Sequence, residues 1–342
     1  MPPPDATPQH RVVLEVLEGC GPFAAREAAP LGPVREVGPT ELELETEDLL
    51  ALRSLRRTVA AYLLLEVPAR RPRELCATQN LQRLAASVET LGRLRPRMRF
   101  TGVRLSAAGA DTPEMRRVGE EIGKCLGLPT VSDGDLLVRL RRGPGETWQM
   151  LIRTTPRPLS TRPWRTEEYP GAVNATIAAS VLDLLDVGAE DQLLDLTCGT
   201  GTFLIEQLHD VAPARSVGVD ISPAALEIAR IHQRAARRPG RIDWTVGNVL
   251  EVPIEGGFTR LVTNPPWGML HGDHASTQEL HAALLRRAAE LAAPSARLGV
   301  LTHEIRRMRA VLAEEPSGWR AIGEHRFFQK GHHPRLFLLE RA

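Results

Sequence analysis

The stretch Asn264-Pro265-Pro266-Trp267 contains residues whose types and order could bind an amino group on a planar base. Asn264 offers a side-chain carbonyl and Pro265 a main-chain carbonyl, and the two consecutive prolines hold both rigid. Two such acceptors can bind both hydrogens of one NH2 group and leave the nitrogen lone pair facing outward. Trp267 adds a flat face on which a planar base can stack, worth about 1 to 3 kcal/mol in single-strand recognition. The alternative interpretation is a proline turn that merely ends a buried strand.

A second group of candidates lies in the stretch "DLTCGTGT", which begins at Asp195. Gly199 and Gly201 let the backbone approach a ligand closely, and the start of the following helix supplies partial positive charge. Leu204 stands where a nicotinamide or flavin fingerprint would need a third glycine. Because the Asp195 carboxylate suits an ammonium and repels a pyrophosphate, this turn predicts a site for an amino-acid head group.

Two further polar residues follow strand-like segments. Asp220, in "GVDIS", can accept hydrogen bonds from two ribose hydroxyls. The alternative is that it caps the next helix, but Ser222, directly ahead of Pro223, is the better cap. Asn248, in "VGNVLEVP", can meet the edge of an adenine with its amide, although a plain turn asparagine is the alternative. With Asp195, these residues predict a pocket for an amino-acid head, a ribose and an adenine.

The elements that must position these residues alternate between strand and helix from residue 171 onward. This pattern predicts an α/β fold with a doubly wound, mostly parallel sheet of seven strands. Ligands of such sheets bind beyond the carboxyl ends of the strands. The candidates follow the first four predicted strands, "QLLDLTC", "SVGVDI", "RIDWTVGN" and "FTRLVTN".

The N-terminal half has a different rhythm. Residues 11–50 read as a small α/β unit in which a short helix closed by Gly32 separates the strands "RVVLEVL" and "ELELE". Residues 51–155 contain two predicted helices, "LLALRSLRRTVAAYLLLEV" and "DTPEMRRVGEEIGKCLGL", and three strands, "RMRFTGVRLSA", "DLLVRLRR" and "TWQMLIRTT". Four prolines then predict an extended linker. The predicted divisions are residues 1–50, 51–155, 156–170 and 171–342.

The charge distribution is uneven although the net charge is only +1. Residues 51–165 hold 22 Lys and Arg against 10 Asp and Glu, whereas the segments on either side are acidic. Such asymmetry is typical of a surface that binds a polyanion, such as a nucleic acid. Nearly all the cations are arginine, so an arginine-rich composition on ordinary solvated faces is the alternative.

Several classes of site and location are not indicated. No apolar stretch approaches the roughly 20 residues of a membrane span, and the N-terminus lacks the apolar core of a signal peptide, so we expect a cytoplasmic protein without a membrane partner. The cysteines form no CxxC pair and the paired histidines lack partners at ligand spacing, so we expect no metal. The cysteines are Cys20, Cys76, Cys125 and Cys198.

These motifs resemble those of the Rossmann-like (class I) S-adenosylmethionine-dependent methyltransferases that modify exocyclic amines. The runs "DLTCGTGTFLIE", "RPLSTRPWR" and "YPGAVNATIAA" are similar to RNA methyltransferases with a THUMP domain, above all the tRNA guanine-N2-methyltransferases of the acceptor stem. The resemblance implies a THUMP-type RNA-binding domain over residues 51–155, with a ferredoxin-like region before it.

The resemblance also implies roles for individual residues. The methionine end of S-adenosylmethionine would be lined by Asp195, Cys198, Gly199, Gly201 and Thr202. The nucleoside end would be bound by Asp220 at the ribose, Ile221 packed on the adenine, and Asn248 with Val249 at its edge. Asn174 would lie near the cofactor carboxylate, and Asn264, Pro265, Pro266 and Trp267 would hold the target amine. Asn248 stands where the family often has Asp.

The resulting hypothesis is direct in-line methyl transfer to an exocyclic amine, above all N2 of a guanosine in the tRNA acceptor stem. Positioning would provide most of the acceleration. We expect tRNA to bind through the basic segment, and no obligate protein partner. The alternatives are methylation of ribosomal RNA guanine N2, and a non-catalytic RNA-binding protein that retains the fold. The same motif also serves enzymes that methylate adenine N6, cytosine N4 or the amide of glutamine.

Overall fold

The computed structural model describes residues 9–94, 99–266, 274–314, 318–329 and 331–342. The chain divides into two compact units. The first consists of Met1–Val16 and Gly21–Thr161, and the second of Leu17–Cys20 and Arg162–Ala342.

The first unit is built on one sheet of seven strands in the order β2-β3-β1-β4-β7-β6-β5. The strands are β1 (His10–Glu15), β2 (Val34–Gly38), β3 (Glu41–Thr46), β4 (Ala60–Pro68), β5 (Val103–Ala107), β6 (Leu136–Arg142) and β7 (Thr147–Arg153). Its helices are α1 (Gly21–Ala28), α2 (Thr78–Arg93) and α3 (Pro113–Leu126). All neighbouring strands are antiparallel except β5 and β6.

Helix α3 begins and ends as its sequence predicts. The Thr112 hydroxyl accepts a hydrogen bond from the Met115 amide at 3.3 Å, and Pro113 occupies the first turn. Gly127 ends the helix in the left-handed conformation, with φ 64°. The prediction for this segment is therefore confirmed.

The helix predicted over residues 49–67 is wrong. A short 3-10 turn occupies Ala51–Ser54, and Ala60–Pro68 forms strand β4, which pairs with β1 on one side and β7 on the other. Its first six residues are all buried, because a central strand can be covered on both faces. Such a strand loses the alternating pattern that distinguishes strand from helix, and Leu, Ala and Arg then favour a helix prediction.

The pairing of β1 with β4 also bears on the predicted division at residue 50. Strands from both sides of that position lie in the same sheet. Neither predicted part has a sheet of its own, so the sheet does not separate them. The subdivision into a ferredoxin-like region and a THUMP-type domain stays a prediction. Helix α2 and strand β2 have no counterpart among the predicted elements.

The second unit has a seven-stranded sheet in the order β10-β9-β8-β11-β12-β14-β13. Its strands are β8 (Gln192–Asp195), β9 (Arg215–Asp220), β10 (Asp243–Val246), β11 (Phe258–Thr263), β12 (Ala292–Thr302), β13 (Trp319–Arg326) and β14 (Arg335–Arg341). Its helices are α4 (Ala175–Leu185), α5 (Thr202–Asp210), α6 (Pro223–Ala236), α7 (His274–Leu291) and α8 (Ile305–Glu314).

Strands β8 to β12 are mutually parallel, and β14 is antiparallel to both β12 and β13. The predicted doubly wound, mostly parallel sheet is confirmed. Leu194, Leu261 and Leu298, from three adjacent strands, are buried in its core. Since parallel strands end at the same edge, the loops after β8, β9, β10 and β11 open onto one side of the sheet.

The segment ahead of α4, predicted as an extended linker, is anchored to the second unit. Arg162 binds Glu206 of α5 through two hydrogen bonds, Nε to Oε1 at 3.0 Å and Nη2 to Oε2 at 3.2 Å. The Arg162 and Glu206 side chains are 3% and 0% exposed. Trp164, two residues after Arg162, is also buried. The segment contains no helix or strand, but its second half forms part of the folded unit.

Replacing Glu206 by glutamine is expected to lower the free energy of unfolding of the second unit by about 3 to 5 kcal/mol, because the buried Arg162 loses its carboxylate. Denaturation in urea measures the change. The matched control is Asp243→Asn in the exposed Arg241–Asp243 pair, where a change below about 1 kcal/mol is expected. Equal, small effects in both variants would contradict the role given to the buried pair.

Candidate active site

A cavity of about 750 Å³ lies at the carboxyl edge of the second sheet. Its walls come from the loops after four strands, from Tyr169–Val173, and from Leu280 and Leu284 of α7. The predicted site residues that line it are Asp195, Cys198, Gly199, Thr202, Asp220, Ile221, Asn248, Val249, Asn264, Pro265 and Pro266. Gly201 and Asn174 are outside this lining, and Trp267 lies outside the described residues.

Asp195 places a buried, incompletely bonded carboxyl in the cavity wall. Its side chain is 1% exposed, and Oδ1 accepts a hydrogen bond from the Thr197 amide at 3.3 Å. Oδ2 is buried and has no hydrogen-bond partner in the part of the chain that the structure describes. Burial raises the pKa of this carboxyl well above its ordinary value. Asp195 lines the cavity, so a cationic donor bound there would lie near this carboxyl, which suits the ammonium of an amino-acid head group.

The Asp220 carboxylate is held in a fixed orientation at the end of β9. Oδ2 accepts a hydrogen bond from the Gly199 amide at 2.8 Å, and Oδ1 accepts one from Ser222 at 2.9 Å. Each oxygen keeps a second lone pair, so two ribose hydroxyls can still donate to it. The Ser222 hydroxyl accepts from Ala225 at 3.2 Å, which confirms Ser222 as the cap of α6.

Gly201 serves the packing behind the cavity. It precedes α5 with φ 80°, a conformation that disfavours residues with a side chain. A Cβ atom at this position would lie 2.4 Å from Trp244 of β10. The glycine therefore lets α5 approach the sheet closely, which carries the cavity-lining Thr202 into place.

At the nucleoside end, Ile221 is 73% exposed and presents an apolar surface. The Asn248 side-chain oxygen accepts a hydrogen bond from the Leu250 amide at 3.2 Å, as in a turn asparagine. Its NH2 group and the second lone pair of its oxygen can still meet an adenine edge. The turn interpretation and the binding interpretation are thus compatible.

Asn174 has a structural task at the start of α4. Its side-chain oxygen accepts hydrogen bonds from the Thr176 amide at 2.8 Å and the Ile177 amide at 3.4 Å. This is helix capping. The predicted contact with the cofactor carboxylate stays a prediction, and the neighbouring Val173 lines the cavity instead.

The residues after β11 form another part of the wall. Asn264, Pro265 and Pro266 follow Thr263, the last residue of the strand. The Thr263 hydroxyl lies 2.8 Å from the hydroxyl of Thr197, which joins this loop to the Asp195 turn. The motif that would hold an amine and the carboxyl that would hold the cofactor are therefore on one cavity.

Sequence reasoning missed the apolar contribution of α7 and the role of Arg165. Leu280 and Leu284 carry no chemical signature, so only their place in the fold reveals them. Arg165 donates hydrogen bonds to the Val173 carbonyl at 2.9 Å and to the Thr202 hydroxyl at 2.8 Å. The arginine was visible in "RPLSTRPWR", but its partners lie up to 37 residues away.

Two negative findings apply to the described ranges only. They contain no group of three or more His, Cys, Asp or Glu side chains placed to hold a metal ion. Within the same ranges, every helix is too short or too polar for a membrane crossing.

The chain is similar to known methyltransferases. The family described as RMKL-like, methyltransferase domain matches residues 162–335, about half of the chain. A tRNA (guanine(6)-N2)-methyltransferase of Thermus thermophilus is 29% identical over 239 residues, which cover 67% of this chain and 68% of the relative. The enzyme of that name from Archaeoglobus fulgidus is 25% identical, over 59% of this chain and 56% of its own.

A solved structure extends the likeness to the first unit. Crystalline TrmN from Thermus thermophilus superimposes with a TM-score of 0.78 over 98% of this chain and 100% of that one, at 21% identity. This likeness shows a common fold. The family match, the cavity and the unsatisfied Asp195 carboxyl all fit S-adenosylmethionine as the cofactor. The chain belongs to the RMKL-like methyltransferase domain family and is an S-adenosylmethionine-dependent methyltransferase.

Proposed function

We propose that the protein transfers a methyl group from S-adenosylmethionine to N2 of a guanosine in the acceptor stem of tRNA. The observation that carries this proposal is the shared cavity, in which Asn264 and Pro265 stand on the same lining as the unsatisfied Asp195 carboxyl. The curated relatives named above support guanine N2 as the acceptor. The proposal includes a cytoplasmic location and no obligate protein partner.

S-adenosylmethionine supplies an electrophilic methyl group when it is bound. Asp195 would bind its ammonium, and Asp220 its ribose hydroxyls. The Asn264 side-chain carbonyl and the Pro265 main-chain carbonyl would accept the two hydrogens of the target amine. This arrangement would point the nitrogen lone pair toward the methyl group of the bound cofactor, so that alignment would provide the acceleration. The S–C bond would break as the N–C bond forms, with S-adenosylhomocysteine as the leaving group. The same carbonyls would stabilise the positive charge on the methylated nitrogen until its proton passes to solvent.

The first unit would bind RNA through those cations that are not neutralised within the protein. Several cations of the basic segment form ion pairs: Arg57, Arg70, Arg93, Lys124, Arg139, Arg141 and Arg162. Arg116 and Arg117 of α3 are exposed, and neither forms an ion pair with any described residue. We propose these two as phosphate contacts.

Affinity for tRNA is expected to fall steeply as salt rises, because phosphate contacts release counterions. In the double variant Arg116→Ala, Arg117→Ala, the slope of log affinity against log salt should decrease by about 2. Filter binding over a salt series measures this slope. The control Arg241→Ala, at an exposed arginine of the second unit, should leave it unchanged. A slope equal to that of wild type in the double variant would remove α3 from the RNA interface.

The decisive test is to incubate the protein with S-adenosylmethionine and, in separate reactions, unmodified tRNA or unmodified ribosomal RNA, digest the RNA and identify methylated nucleosides by mass spectrometry. N2-methylguanosine is the expected product. Methylated adenosine or cytidine would overturn the assignment of guanine N2 as the methyl acceptor. Product on ribosomal RNA but not on tRNA would favour the alternative substrate. Cofactor binding without product on either RNA would favour a non-catalytic RNA-binding protein.

A further inference from the structure

Arg165 lies directly behind one wall of the cofactor cavity. It is half-buried, and its guanidinium carbon lies 5.2 Å from the ring centre of Trp164. Nη2 donates hydrogen bonds to Val173 and Thr202, two residues that line the cavity from different segments. Its Nε is buried and has no hydrogen-bond partner among the residues described. One cation therefore joins two parts of the wall.

The charges around Arg165 do not balance. Arg162 and Glu206 form a buried ion pair in which both Glu206 oxygens are used. Arg165 has no carboxylate within 4.0 Å in the described ranges, so this cluster of two guanidinium groups and one carboxylate has a net charge of +1. Burial lowers the pKa of Arg165, Glu206 partly opposes that effect, and Arg162 adds to it. The excess positive charge of this cluster would therefore favour binding of an anion near Arg165.

The hydrogen bond to Thr202 sets the polarity of that hydroxyl. A guanidinium can only donate, so the Thr202 oxygen must accept from Arg165. The hydroxyl hydrogen is then available for an acceptor in the cavity. Thr202 is also the first residue of α5, whose N-terminal end carries partial positive charge. Three features thus favour an acceptor, preferably an anion, at this wall.

We propose that Arg165 is a positioning residue that makes the cavity selective for the carboxylate of the cofactor, acting through the Thr202 hydroxyl. The ammonium end of the same amino-acid group is served by Asp195, which has opposite charge. The two ends of a zwitterion are thereby matched by two separate parts of the wall. This inference rests on S-adenosylmethionine as the cofactor and is independent of the RNA substrate.

The test compares two ligands that differ in one group. S-adenosylhomocysteine has the carboxylate, and its decarboxylated analogue, S-adenosyl-3-thiopropylamine, has the ammonium but not the carboxylate. Calorimetric titration should show that wild type prefers the carboxylate-bearing ligand by about 10- to 100-fold, as for hydrogen bonds to a charged group. In Arg165→Met this preference should nearly vanish, through weaker binding of S-adenosylhomocysteine alone.

Thr202→Val provides a second variant of similar size and should lose the same preference. In the double variant the losses should not add, because both residues act through one hydroxyl. The control Arg241→Met, at an exposed arginine, should behave as wild type. Equal weakening of both ligands in Arg165→Met would show that Arg165 only supports the wall. A preserved preference in Arg165→Met or in Thr202→Val would overturn the inference.

Discussion

Replacing Asn264 by alanine is expected to lower kcat by about 10²- to 10³-fold, while affinity for S-adenosylhomocysteine stays within about threefold of wild type. The variant removes one of the two carbonyls that would orient the target amine, and it leaves the Asp195 and Asp220 parts of the cavity intact. Single-turnover methylation of tRNA measures the rate, and calorimetry measures the affinity.

Two further variants sharpen this test. Asn264→Asp keeps a carbonyl-type acceptor at the same position and should retain part of the activity. Asn80→Ala makes the same change at a buried asparagine of the first unit, and kcat should be unaffected. An Asn264→Ala enzyme that methylates at the wild-type rate would show that the motif is a structural turn.

Replacing Asp195 by asparagine is expected to weaken S-adenosylhomocysteine binding by about 100-fold or more, because a charge-assisted hydrogen bond to the ammonium is lost in a buried site. The same change should stabilise the ligand-free protein at neutral pH by about 1 kcal/mol, since a neutral amide avoids part of the cost of burying a carboxylate. Calorimetry and thermal unfolding without ligand measure the two effects.

The pH dependence follows from the raised pKa of Asp195. A carboxyl whose pKa is higher in the folded than in the unfolded state costs stability as pH rises from its ordinary value through the folded value. Ligand affinity should show the opposite trend and fall when acid protonates Asp195. Both trends should be absent in Asp195→Asn. An Asp195→Asn variant that is less stable than wild type without ligand would contradict the burial cost assigned to this carboxylate.

The sheet of the second unit could be predicted from the sequence because the pattern of its elements and the chemistry at its strand ends agree. Strand–helix alternation predicted the sheet, and polar residues at the strand ends predicted which loops would share a cavity. Asp220 illustrates the limit: its carboxylate orients toward the site by accepting the Gly199 and Ser222 amides, a geometry that only the backbone reveals.

The failures have physical causes that a local pattern does not contain. Strand β4 is buried on both faces by tertiary packing, and its apolar run therefore reads equally well as a helix. The anchoring of the predicted linker was hidden for the same reason: Arg162 stands among prolines, and its partner Glu206 lies 44 residues later. The linker itself stays a prediction. The contacts that decided these segments are long-range, and residue types alone do not encode them.

The position of β14 within its sheet has a consequence for protein quality control. Strand β14 (Arg335–Arg341) is the last strand in chain order, yet it lies between β12 and β13 and not at an edge of the sheet. A chain whose synthesis stopped before residue 335 would leave Arg297–Thr302 of β12, a mostly buried stretch, without its pairing strand on that side. Such an edge is a template for aggregation. Abortive translation products of this protein should therefore be insoluble clients of chaperones and proteases, not truncated enzymes with reduced activity.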